Sequence, residues 1–67
     1  MADYLFQVII TYNDNSTVGI TVDVVEQEHM LLARDKAIAV VTENQSKYER
    51  PELTITSIAA VEAQRVQ

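Results

Sequence analysis

The chain has 67 residues, no cysteine, one glycine and one proline, and ten acidic against five basic side chains give it a net charge of −5. That length holds one hydrophobic core, so residues 1–67 are expected to form a single domain of marginal stability that gains from a staple or a partner. The missing cysteines exclude disulfides and thiolate chemistry, and the acidic balance argues against gripping a nucleic-acid backbone or an anionic membrane surface.

No apolar run approaches the ~18 residues of a membrane span. The opening Met1-Ala2-Asp3-Tyr4 has no basic region of the kind that begins a secretory signal, so cytoplasmic residence is expected. Tyr4 to Tyr12 alternates with a period of two: Tyr4, Phe6, Val8, Ile10 and Tyr12 share one phase, and Leu5, Gln7, Ile9 and Thr11 the other. Such a run, rich in β-branched and aromatic residues, predicts a strand. Asn13-Asp14-Asn15-Ser16 is a turn sequence. A second alternating run from Thr17 to about Val25 completes a β-hairpin, with Val18, Ile20, Val22 and Val24 in one phase and Thr17, Gly19, Thr21 and Asp23 in the other.

From about Gln27 to Asn44 the period changes. Met30, Ala33, Ala37, Val40 and Val41 recur at helical spacing, Leu31 and Ile38 widen that stripe, and Leu32 and Ala39 fall nearly opposite it. Leu32 and Ala39 are therefore candidate exposed contacts. Gln45 to Glu52 reads as a polar connector closed by Pro51. Leu53 to about Val61 predicts a third strand whose alternation slips, because Leu53 and Ile55 lie in one phase and Ile58 and Ala60 in the other. A bulge near Ser57 would reconcile them.

The expected architecture is an α+β fold of order ββαβ. It has a three-stranded antiparallel or mixed sheet of spatial order 2-1-3, with one helix on one face. The other sheet face would carry Leu5, Ile9, Thr11, Thr21 and Ile58, a half-apolar surface with no second helix to cover it. Such a patch suggests a dimer or partner interface.

His29 is the sole histidine, beside Asp23, Glu26 and Glu28. Neighbouring residues on a helix diverge by a hundred degrees, and the ligand spacings of metal sites are missing, so a solvated acidic first turn is the expected reading. Neither a metal nor a cofactor is expected, and with a single glycine no phosphate-cradling loop can form. Scattered carboxylates and a shallow fold argue against an enzyme. Asp23, Glu26 and Glu28 are the densest acidic patch. They are a candidate binding surface that Asp35, Glu43, Glu49 and Glu52 would extend into an imitation of a phosphate track, set against ordinary solubilising charge. Tyr48 and Arg50, of types enriched at binding hot spots, are candidate loop contacts. An RNA-binding sheet would need its aromatics on the open face, whereas here they share the other phase.

The hairpin from residue 4, the alanine-spaced helix Ala33-Arg34-Asp35-Lys36-Ala37-Ile38-Ala39 and the strand entry Pro51-Glu52-Leu53-Thr54-Ile55 resemble the short accessory proteins encoded by bacteriophages and prophages. That resemblance implies stoichiometric inhibition of host machinery or of anti-phage defence, anti-CRISPR factors included, in the host cytoplasm. It assigns no residue a role. The leading expectation is a non-enzymatic protein-binding module acting as a homodimer. The alternatives are a structural, self-assembling protein and a ligand-sequestering protein whose pocket forms between subunits.

Overall fold

The structure, a computed structural model, describes residues 2–66, with side chains from 3 to 62. β1 (Ala2–Tyr12) and β2 (Thr17–Gln27) form the hairpin, α1 (Met30–Glu43) follows, a single 3₁₀ turn covers Gln45–Tyr48, and β3 is Ile55–Val66. The sheet has order β2-β1-β3, with β1 antiparallel to both neighbours. It is the α+β, ββαβ arrangement the alternation implies.

The hairpin turn follows from its residues. The Asn15 N–H donates to the Tyr12 carbonyl and the Tyr12 N–H to the Ser16 carbonyl, both at 2.9 Å, and Asn15 takes a φ of 71°. This is a three-residue loop ending in a left-handed residue, a position that asparagine tolerates. Asp14 Oδ1 accepts from the Ser16 N–H at 3.0 Å and from the Ser16 hydroxyl, which pins the loop.

β1 supplies the core. Tyr4, Phe6, Val8, Ile10 and Tyr12 are all buried beneath α1, joined by Val24 of β2 and by Ala33, Ala37 and Val41 of the helix. Val18, Ile20, Val22, Ile58 and Ala60 pack against that cluster while remaining half-buried. Tyr12 belongs to the deep core: its hydroxyl donates to the Tyr48 carbonyl, and the Arg50 guanidinium stands 4.8 Å from the centre of its ring.

The helix differs from its expected form in two respects. It begins at Met30 rather than Gln27, because β2 continues to Gln27, which pairs with Ala2 across a bulge. Glu26 and Glu28 therefore precede the helix, and no acid stands in its first turn; His29 is an extended N-cap with no side-chain hydrogen bond. The contact row is Ala33, Ala37 and Val41 at strict four-residue spacing, so Met30 and Val40 of the expected stripe are exposed. Two alanines let the helix backbone settle close to the sheet, and the larger β1 side chains fill the space between.

β3 carries the expected bulge. Thr11 pairs with Ser57 but Tyr12 with Ile55, so Thr56 is the extra residue, and its hydroxyl donates to the Thr11 carbonyl at 3.1 Å. A second shift skips Ala63 between Gln64 and Glu62. The first bulge brings Ile55, Ile58 and Ala60 onto one face, opposite Tyr12, Ile10 and Val8. Ile58 therefore faces the helix and is not part of the open sheet face, which corrects its expected placement.

Candidate functional site

The open face of the sheet follows from the register. Leu5, Gln7, Ile9 and Thr11 of β1 stand beside Asp23, Thr21, Gly19 and Thr17 of β2 on one side, and Gln7, Ile9 and Thr11 stand beside Val61, Ala59 and Ser57 of β3 on the other. Side chains opposite one another across a ladder point to the same face, so these positions share the side away from α1. Leu5, Ile9 and Thr11 come together here as expected, with Thr21 beside them. Alternation read straight through Thr56 misses Ala59 and Val61, which take the place assigned to Ile58. Val61 is 53% exposed, while the central-strand residues are half-buried by their neighbours. The Gln7 carboxamide occupies the space a side chain at position 19 would take, so Gly19 and Gln7 together form a flat polar stretch beside Ile9.

A second apolar surface lies on the helix. Leu32 and Ala39 are exposed, as their phase predicts, and so are Met30, Leu31 and Val40; Val25 projects at the end of β2. Leu31 is the most open of the exposed large apolar residues, at 58%. Apolar side chains therefore occupy most of the helix circumference, and the core uses the row of Ala33, Ala37 and Val41.

The acidic residues spread along an elongated molecule of 42 × 19 × 15 Å, with Asp35 exposed midway along α1. Asp23, Glu26 and Glu28 are exposed where β2 gives way to α1. There the Glu26 N–H donates to Asp3 Oδ1 at 3.0 Å and Glu26 has a φ of 57°. Glu43, Glu49 and Glu52 lie at the other end, with the helix C-terminus and the connector. Asp14 is the carboxyl whose pKa is held below its ordinary value, by the Ser16 hydroxyl and N–H first and by the more remote Arg50 charge last. Among the described residues no three acidic or histidine side chains converge as a metal site.

Tyr48 and Arg50 separate in role. Tyr48 is half-buried against the core and its carbonyl receives the Tyr12 hydroxyl, so it covers the helix end. Arg50 is exposed over the Tyr12 ring, and it lines an open depression of about 230 Å³ with Gln45, Glu49, Leu53, Thr54 and Ile55. Enclosed small-molecule sites usually begin near ~300 Å³, and this hollow is shallow. No helix among the described residues is long and apolar enough to cross a membrane. No family model, no curated protein and no solved structure matches the chain.

Proposed function

We propose that this protein is a non-enzymatic binding module that works by stoichiometric contact with another protein, as a dimer. In that reading it is an inhibitor of the bacteriophage accessory type, directed at a host or anti-phage defence protein in the host cytoplasm. The observation that carries the reading is the apolar surface left on both sides of a 67-residue domain. Val61 is exposed beside the half-buried Leu5 and Ile9 on one sheet face, and Leu31 and Leu32 are exposed on the outer helix. Exposed apolar side chains on this scale in so small a domain mark contact surfaces. The charge of −5 favours a partner with a basic rim, because complementary charge steers the encounter and sets its orientation.

Affinity capture from bacterial lysate tests the reading, with Ile9→Glu/Val61→Glu as the comparison chain. One host protein is expected to be retained in stoichiometric amount by the wild type, to be inhibited by it, and to be released by the double variant. Retention by both chains, or by neither, would refute an inhibitor acting through this face.

A further inference from the structure

We propose that the free edge of β2 is a self-pairing surface. A second copy adds its own β2 antiparallel about a two-fold axis at Ile20, which joins the two sheets into one of six strands. The inference deepens the dimeric reading above, but it does not depend on what protein the open face contacts.

The backbone decides which groups are available. In the hairpin, Tyr12 and Ser16 turn their main chains towards each other. Antiparallel pairing alternates, so Val18, Ile20, Val22 and Val24 direct their N–H and C=O groups to β1. Thr17, Gly19, Thr21 and Asp23 then direct theirs outward, along an edge that meets no other strand of the described chain. Such an edge is a template for another strand, and it is ordinarily blunted by lysine, proline, a bulge or brevity. β2 has none of these from Thr17 to Val24, where Asp23 near one end is the single charged side chain. It contains no basic residue and no proline, and its bulge comes only at the Val25–Glu26 end.

The opposite edge is protected. β3 is interrupted by the bulges at Thr56 and Ala63, and the straight run between them ends in the charged Glu62. The asymmetry points to β2.

Centring on Ile20 satisfies every outward group at once. Gly19 then lies opposite the partner's Thr21, and Thr17 opposite the partner's Asp23, in hydrogen-bonded pairs. Ile20 meets the partner's Ile20, and Val18 the partner's Val22, in the closer non-bonded pairs. Those three side chains are half-buried by their own core and bare on the outer flank, so pairing would cover them and add β-branched cross-strand contacts. The arrangement also suits the charge. Asp23 faces a threonine, and the two Asp23 residues are six positions apart along the ladder, about 20 Å at the strand rise and well beyond the Debye length in physiological salt.

The chain has no cysteine, so a single engineered one reports its own neighbour. In Ile20→Cys the two thiols meet across the axis within disulfide reach, whereas Ile9→Cys reports stacking of open faces instead. Under mild oxidation Ile20→Cys is expected to link at least about tenfold faster than Ile9→Cys. Sedimentation of the wild type should give a dimer. Thr21→Pro, which removes an outward N–H and leaves the β1 ladder intact, should give a monomer; a chain carrying N-methylated Thr21 tests the same donor without proline's fixed φ, should Thr21→Pro fail to fold by circular dichroism. A wild type that stays monomeric at millimolar concentration overturns the proposal, and so does faster linking through position 9. A wild-type dimer that captures no host protein would refute the inhibitor reading alone.

Discussion

Among the described residues three non-glycine positions hold positive φ angles, and each stands where the chain must turn or bulge: Asn15 at 71°, Glu26 at 57° and Glu52 at 65°. Glu52 is the least suited to its place. Pro51 and Glu52 form the centre of a turn closed by the Leu53 N–H on the Arg50 carbonyl at 3.3 Å, and a left-handed third residue after proline is the type II pattern that favours glycine. Glu52→Gly is expected to raise stability by about 1 kcal/mol, read as a higher urea midpoint at unchanged slope. A lower midpoint would mean that the glutamate side chain makes a compensating contact. Asp14 acts through its charge. Folding lowers its pKa from the ordinary 3.8 by giving the carboxylate two donors from Ser16. Its contribution is therefore complete above that ordinary value and is lost as pH falls through the lowered one. Asp14→Ala should be less stable than the wild type at pH 6, and the difference in thermal midpoint should narrow as pH falls below 3.8. A gap that persists in acid would show that the turn depends on something other than this ionisation.

At the scale of elements, the helix is held by its smallest side chains. Ala33 and Ala37 are fully buried, while Met30, Leu31, Leu32 and Val40 remain exposed. Ala37→Leu drives about three extra heavy atoms of side chain into a closed contact with the sheet, and overpacking of this kind is expected to cost about 1–3 kcal/mol. Denaturant unfolding of the variant measures it, and an unchanged midpoint would mean that the helix can lift without loss. The same feature explains what the residue pattern reveals and what it hides. β1 and β2 alternate without interruption, so the hairpin and the buried phase of Phe6, Val8 and Ile10 follow directly, and a most apolar first strand belongs in the middle. Periodicity counts Met30 and Val40 as equal to Ala33 or better, although the helix packs by close approach and not by bulk. Ile58 is hidden for a different reason. In Ile55-Thr56-Ser57-Ile58 nothing marks which residue is extra, and displacement by one position reverses the face of every side chain that follows. Asp23, Glu26 and Glu28 fall in the expected region, but a helix start two or three residues late moves the acids out of its first turn.

For the whole molecule the decisive quantities are size and charge. A domain of 67 residues with one helix over one sheet face cannot cover its other face, and a free β2 edge gives association a backbone to follow. Net charge opposes it: two chains of −5 each, centred roughly 20 Å apart, repel by about 5 kcal/mol in unscreened water. At ~0.15 M salt the Debye length is about 8 Å, so little of that repulsion survives, whereas at ~0.01 M the screening length of about 30 Å leaves roughly half. Self-association should therefore tighten more than about tenfold between those salt concentrations, because the attractive contacts are main-chain hydrogen bonds and β-branched side chains, neither of which salt weakens. Sedimentation across a salt series reads this directly. Dissociation on adding salt would show that the subunits are joined through charge pairs instead, with the few basic side chains of one copy set against the acidic ends of the other. The edge-paired dimer would then be wrong even if the protein were dimeric, since Thr17 to Val22 contains no charge to be screened.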